Sequence, residues 1–297
     1  MKKDLLIISY NRPDKLKKVL NNIDHNYVRN IYFYNNNFLH ENEKYKIEKC
    51  RKLILEYKFI GKSYYLFNKK HLKVKSSILK ALDWFFDNTK EGIVLEDDIL
   101  PTKSFYFFCS KLLDKYRKNK KIFHISGFNH LEKINSKYSY HFNYITHVWG
   151  WATWSDRWRK FRKSHKLKKN IFTNNNYFLD EDLNDYRNYL YQRTLQNKII
   201  TWDYLWDRFI RINNGLNIRP NFNLVKNIGF DFKATNTKFA KKNIKSIKTI
   251  NLNKINHPKL IYYNSDNDNK YFKLYEQKNL ILKKNYDYIR DIFKEII

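Results

Sequence analysis

Three acidic residues stand together at Glu96-Asp97-Asp98, directly after the apolar run Gly92-Ile93-Val94-Leu95 and before Ile99-Leu100-Pro101. Carboxylates clustered at a strand terminus repel one another unless a cation offsets their charge. A divalent cation held by such oxygen ligands can bridge phosphate oxygens and offset the negative charge that grows on a diphosphate leaving group. Three adjacent acids on their own more often form a solvated loop or a helix start, so it is the preceding strand that gives the triplet its interest. The chain has six glycines, none arranged as a Gly-rich phosphate cradle of the dinucleotide or P-loop kind. A phosphate ligand here must be neutralised some other way, and carboxylates holding a cation meet that need.

Two aromatic clusters carry further candidates. The first is His147-Val148-Trp149-Gly150-Trp151-Ala152-Thr153-Trp154, with Trp158 following. Large aromatics of this kind form core, or they form a platform whose flat rings cover the apolar faces of sugars while Gly150 lets backbone approach a ligand. The residues leave both readings open. The second cluster, Trp202-Asp203-Tyr204-Leu205-Trp206-Asp207-Arg208, opens a predicted helix. Asp203 and Asp207 fit a helix cap or an ion pair with Arg208. A carboxylate at an aromatic-walled helix start also fits a base of raised pKa that takes a hydroxyl proton.

The elements that must position these groups alternate between strands and helices, the pattern of an α/β fold with a mainly parallel sheet. Leu5 to Ser9 reads as a buried strand. Asn11-Arg12-Pro13-Asp14 then supplies a cap-like polar residue, a proline suited to a first helical turn and an acid near the positive dipole end, predicting a helix to about Asn22. Strands are expected at Ile31 to Tyr34, Tyr64 to Phe67, Gly92 to Leu95 and Ile122 to Ile125. Helices are expected at Glu43 to Leu55, Val74 to Phe86 and Lys103 to Asn119. The strand at Gly92 to Leu95 is central and delivers the acidic triplet at its carboxyl end, where ligands of open α/β sheets bind. The pattern suggests a nucleotide-binding half over 1–137 and an acceptor half over 138–235 packed beside the sheet. That second half carries helices at Asn184 to Gln196 and Asp203 to Asn213. An extension over 236–297 follows, with a turn at Asp266-Asn267-Asp268-Asn269 and a terminal helix from Asn279 to Ile296.

Composition bounds the partners. With 297 residues, 42% hydrophobic and 18% aromatic, the chain has the material for an ordered core. A formal charge of +30 attracts polyanions whatever the fold. The lysines are scattered, however, and no aromatic-plus-basic RNA motif or basic amphipathic helix is found, so nucleic acid is not the expected partner. The non-enzymatic alternative, a basic RNA-binding or membrane-surface protein, rests on charge alone. Only Cys50 and Cys109 occur, too few for a disulfide framework and without metal-ligand spacing, and both read as buried apolar side chains. The apolar run before Tyr10 is too short for a signal-peptide core and no later run spans a bilayer, so the expected location is cytoplasmic.

The chain resembles bacterial sugar transferases related to the eukaryotic N-acetylglucosaminyltransferase I group, which have the GT-A nucleotide-diphospho-sugar transferase fold. The resemblance runs over Ser9-Tyr10-Asn11-Arg12-Pro13, Val94-Leu95-Glu96-Asp97-Asp98, Ile125-Ser126-Gly127-Phe128-Asn129, Trp149-Gly150-Trp151-Ala152-Thr153-Trp154, Trp202-Asp203 with Trp206, and Asn227-Ile228-Gly229, covering roughly residues 4–235. It implies inverting transfer of a sugar, N-acetylglucosamine or another hexose, from a nucleotide diphosphate sugar with Mn2+ or Mg2+ as cofactor. A retaining transferase or a nucleotidyltransferase using the same acidic motif is the alternative. By resemblance Asp98 is the direct metal ligand with Glu96 beside it, Asp97 contacts the donor sugar, and Ser9, Tyr10, Asn11 and Arg12 form the nucleotide-contacting segment. Asn35 or Asn36 ends the strand that meets the base, although Asn35-Asn36-Asn37 lacks the acid expected for reading uracil. Lys73 and Lys75 are phosphate neighbours. Asp203 is the catalytic base with Asp207 in reserve, and Trp149, Gly150, Trp151 and Trp206 face the acceptor. That acceptor is expected to be a surface glycan or a lipid-linked sugar, with peripheral contact to anionic membrane at the inner face.

Overall fold

A computed structural model of the chain describes residues 1–166, 177–178, 180–229 and 248–281. The first strand, β1 (Lys3–Ser9), is buried along its whole length, and its side chains alternate between two cores. Leu5 and Ile7 join one, Leu6 and Ile8 the other, as the two-residue period of a strand covered on both faces requires. Its two charged residues are compensated: Lys3 Nζ donates to Glu91 (2.5 Å) and Asp114 (2.6 Å), and Asp4 receives the guanidinium of Arg29.

Helix α1 (Pro13–Leu20) follows, then β2 (Val28–Asn35), α2 (Lys44–Glu56), β3 (Ser63–Phe67), α3 (Val74–Asn88) and β4 (Glu91–Glu96). All seven elements read from the sequence in this region are present. The expected cap at Asn11 is not made: Arg12 occupies the cap position without a side-chain hydrogen bond, and Asn11 instead donates to Glu43. Beyond β4 come β5 (Ile99–Pro101), α4 (Lys103–Tyr116), β6 (Ile122–Ser126), β7 (Tyr140–Asn143), β8 (Trp151–Trp154), α5 (Ser155–Lys166), α6 (Glu181–Leu195), α7 (Asp203–Ile212), β9 (Leu216–Pro220) and β10 (Val225–Asn227).

Eight strands form one sheet in the order β3-β2-β1-β4-β8-β6-β9-β7. β3, β2, β1 and β4 are parallel neighbours, and β6 and β9 run the same way. Only β8 and β7 are reversed. The fold is therefore α/β with a mostly parallel central sheet. Helices α1, α2 and α4 pack one face, and α3, α5 and α7 the other.

Strands β7, β8 and β9, all after residue 137, lie within this sheet rather than beside it, which corrects the expected placement. β8 is wedged between β4 and β6, pairing Val94 and Ser126 with Trp151. Gly150, at φ +62, makes the turn into it. Sequence periodicity missed α5, which has only Trp158 and Phe161 as a buried stripe, and β9, whose Asn217 and Arg219 are buried polar residues. The expected turn at 266–269 is instead part of a helix, Ser265–Tyr271. Asn264 caps it by accepting from the Asp266 amide at 2.8 Å, so the acids stabilise its first turn. A π-helical turn, Phe272–Glu276, follows. The terminal helix expected from Asn279 lies outside the described residues beyond 281. Both cysteines are buried and free. No helix among the described residues is long and apolar enough to cross a membrane.

Candidate functional site

The carboxyl ends of β1, β2, β3 and β4 lie side by side at one end of the sheet, the place where open α/β sheets hold ligands. β4 delivers Glu96, and Asp97 and Asp98 form the tight turn into β5. The loop after β1 reaches them directly. The Tyr10 amide donates to Asp97 Oδ2 at 2.9 Å, and Arg12 Nη1 donates to Asp98 Oδ2 at 2.5 Å and sits 3.6 Å from Asp97 Oδ1. Arg12 thus bridges the carboxylates of Asp97 and Asp98.

The electrostatic consequence is large. Burial, followed by the charges of Asp98 and Asp97, pushes the Glu96 carboxyl up to about 8 against the pull of Arg12. Burial and Asp98 push Asp97 up to about 7. The charge of Asp203, at the start of α7, adds a smaller contribution to the rise of Glu96. Its own carboxyl is raised, first by burial. One oxygen, Oδ1, accepts from the Thr201 hydroxyl and from the Tyr204 amide at 3.1 Å.

A third contribution comes from β10, which pairs antiparallel with β5 and brings Asn227-Ile228-Gly229 against the triplet. The Ile228 amide donates to the Asp98 carbonyl at 2.8 Å, and the Gly229 amide to Asn227 Oδ1 at 2.7 Å. A side chain at Gly229 would place Cβ 2.2 Å from Asp98 Oδ2. A side chain there would push the Asp98 carboxylate aside. The sequence singled out the tripeptide without a role, because its partner lies far away in the chain.

The other donor-side candidates divide. Ser9 and Asn35 are occupied by the scaffold: Asn35 Nδ2 donates to Ser9 Oγ and the Tyr10 carbonyl, while its Oδ1 accepts from Arg51. Asn36 donates to the Leu72 carbonyl and accepts from Asn68 and the Leu72 amide. With these bonds made, the side chains of Asn35 and Asn36 hold the loops in place rather than meeting a base, which corrects that expectation. Tyr10 and Asn11 both donate to Glu43, at 2.7 Å each, and Glu43 also accepts from the Leu39 amide at 3.0 Å. Glu43 and Arg51 are therefore organising residues that the sequence did not reveal, since each reads as an ordinary charge on the face of a helix. Lys73 occupies the cap position of α3 and is exposed. Lys75 is half-buried, and burial lowers its ammonium pKa.

The acceptor-side candidates divide as well. Trp151 and Trp206 are buried in the second core, Trp151 stacked on His124 with centroids 5.1 Å apart and Trp206 directed at the same ring. Neither presents an open face, which corrects the platform reading for both. Trp149 is half-buried against Phe128 and His130, and Gly150 is buried close to Val225, Ile99 and Phe105. Asp207 is fully committed, accepting from the Thr146 amide and hydroxyl and from Arg211 at 2.7 Å. Although burial alone would raise it, Arg211 and Arg187 hold its carboxyl below the usual range. It is removed as a reserve base.

Among the described residues, no three His, Cys, Asp or Glu side chains are arranged to hold a metal ion unaided. Mg2+ at nucleotide sites, however, takes one or two carboxylates and completes its shell with phosphate oxygens and water. The hard oxygens and excess negative charge of the triplet fit such an ion.

No protein-family model matches the chain, and no curated protein matches it. Among solved structures it is similar to 4-diphosphocytidyl-2C-methyl-D-erythritolsynthase from Anaerococcus prevotii DSM 20548, at 8% identity and TM-score 0.38 over 57% of this chain and 78% of that one. It is similar to a UDP-glucose pyrophosphorylase complexed with UDP-glucose, at 13% identity and TM-score 0.29 over 48% and 63% of the two chains. It is also similar to the glycosyltransferase GlyE of Streptococcus pneumoniae TIGR4, at 11% identity and TM-score 0.29 over 58% and 41%, so the match spans less than two thirds of the latter two proteins.

Proposed function

We propose that the chain is a GT-A-type, metal-assisted inverting glycosyltransferase that moves a sugar from a nucleotide diphosphate sugar to a hydroxyl of a glycan or lipid-linked acceptor. The observation that carries this reading is the meeting of Glu96, Asp97, Asp98 and Arg12 at the carboxyl end of β4, where burial and mutual repulsion drive two of the carboxyls toward neutral pH. Asp98, beside Glu96, would hold Mn2+ or Mg2+, which when bound supplies positive charge to the diphosphate.

Arg12 is placed to exchange part of its contact with Asp98 for a donor phosphate, since guanidinium binds both partners with the same planar fork. Asp203, raised by burial, accepts the proton of the acceptor hydroxyl as its oxygen attacks the anomeric carbon. The bond from that carbon to the diphosphate breaks, and its electron pair leaves on phosphate oxygen. Trp149, half-buried, is the candidate wall for the acceptor. The buried residues around Asp203, including Trp202 and Trp206, exclude water that would otherwise hydrolyse the donor.

The deciding experiment is transfer by Asp203→Asn. Turnover should fall by about 10²- to 10⁴-fold, the usual worth of a general base, with donor binding retained in calorimetry. Undiminished turnover would take Asp203 out of the mechanism. NMR of the product anomer separates inversion from retention, and pyrophosphate release would mark a nucleotidyltransferase instead.

A further inference from the structure

Leu260, Ile261 and Tyr262 are neighbours in the chain and face solvent, at 70%, 40% and 58% exposure. Their loop is held at both ends. On one side Ile255 is buried, Asn256 exchanges hydrogen bonds with Ser139 (2.8 and 2.9 Å), and His257 Nδ1 pairs with the Tyr140 hydroxyl at 2.9 Å. On the other, the Tyr263 ring packs 4.1 Å from Tyr144 and Asn264 caps the following helix. The three apolar side chains are thus carried outward on a tip whose base is already ordered, so covering them needs little further loss of backbone entropy.

The surrounding charge has one sign. Over residues 254–281 the exposed Lys, Arg, Asp and Glu side chains are Lys254, Lys259, Lys270, Lys273 and Lys278, against Asp266 alone, because Asp268 and Glu276 are buried. Leu274 and Ile281, both exposed, add two apolar residues to the helical stretch that carries Lys270, Lys273 and Lys278.

We infer that this surface docks on an anionic phospholipid bilayer, with Leu260, Ile261 and Tyr262 entering the headgroup boundary and the lysines meeting lipid phosphates. Exposed aliphatic residues, an amphipathic tyrosine and exposed lysines in the same stretch of chain suit a membrane interface. A second copy of the chain would bring like charges face to face. Single-stranded nucleic acid would find few flat rings to stack on. The inference deepens the proposed function, because a lipid-linked acceptor would lie in the same interface. Vesicle binding is nevertheless read without donor or turnover, so it stands or falls separately.

The test is co-sedimentation of the full chain with vesicles of pure phosphatidylcholine and of an equal mixture with phosphatidylglycerol. The chain should sediment with the mixed vesicles and remain largely free with the neutral ones. The triple variant Leu260→Ser, Ile261→Ser, Tyr262→Ser should lose about tenfold or more in affinity at an unchanged melting temperature, these side chains being exposed. Lys259→Glu should weaken binding in the same direction. Binding by the triple variant equal to that of the parent would overturn the proposal, since diffuse charge would then suffice. So would a parent dimer, seen by sedimentation velocity and lost in the triple variant.

Discussion

Two sets of three acids, one at the carboxyl end of β4 and one between α6, α7, β9 and the terminal helical stretch, are handled in opposite ways. In the second set each acid has its own arginine: Asp207 with Arg211 at 2.7 Å, Glu276 with Arg187 at 2.6 Å, and Asp268 with Arg219 at 3.8 Å. Neutral donors complete them, the Tyr271 hydroxyl for Glu276 and the Tyr144 amide for Asp268. In the first set Glu96, Asp97 and Asp98 gather around Arg12, and two of the three are driven toward neutral pH. The paired set matches each acid with an arginine, although burial still raises the Asp268 and Glu276 carboxyls. The crowded one is the arrangement expected of residues awaiting a cation and its phosphate ligand.

Substitutions should separate the two sets, the largest effect being on activity. Asp98→Asn should reduce transfer on the order of 10³-fold in a coupled assay, since the charge stabilisation at stake is several kcal/mol. It should leave the melting temperature unchanged or higher, because it relieves repulsion within the triplet. A large stability loss would instead put Asp98 with the structural acids. Asp207→Asn should do the converse, leaving Arg211 buried without its counter-charge and lowering unfolding free energy by about 3–5 kcal/mol in urea titrations.

A smaller effect should come from Gly229→Ala, whose Cβ meets Asp98 Oδ2 and forces the carboxylate to move. Metal-dependent donor affinity should drop about tenfold by calorimetry while the fold is kept, a loss of roughly 1.4 kcal/mol. Unaltered affinity would show that the Asp98 side chain shifts freely.

The mildest effect sharpens the comparison at a site far from the ligand. Burial would raise the Glu91 carboxyl, but the Arg117 and Lys3 hydrogen bonds and charges outweigh it and hold the group below its ordinary value of 4.5. A folded-state pKa below the unfolded one gives stability that is present above about 4.5 and lost as pH falls through the depressed value. Glu91→Gln should flatten the acid limb of a melting-temperature profile below that pH and leave activity at neutral pH intact.

The sequence and the structure agree best where the information is local. Pro13 opens a helix, apolar runs of two-residue period become β1, β2 and β4, and the Val74 stripe becomes α3. Legibility failed where a local rule was overridden. Asn217 and Arg219 hide β9 because polar residues are usually exposed, yet here Asn217 donates to the Tyr144 carbonyl and Arg219 to the Ile145 carbonyl. The tryptophan block left core and platform equally open, because both uses want the same large flat side chain. Only the insertion of β8 between β4 and β6 decided for core at Trp151 and Trp154.

The sequence by itself determined the α/β alternation, the central position of the strand before Glu96 and the presence of a carboxylate triplet at its end. Periodicity and the order of residue types along one strand are enough for that. Tertiary structure decided which acids share a site. Arg12 reaches Asp98, Thr146 helps to withdraw Asp207 into its ion pair, and Gly229 lies against Asp98, all through contacts between segments distant in the chain. Burial and charge neighbours set the chemistry of a carboxyl group, and both are properties of the packed molecule rather than of the residues on either side.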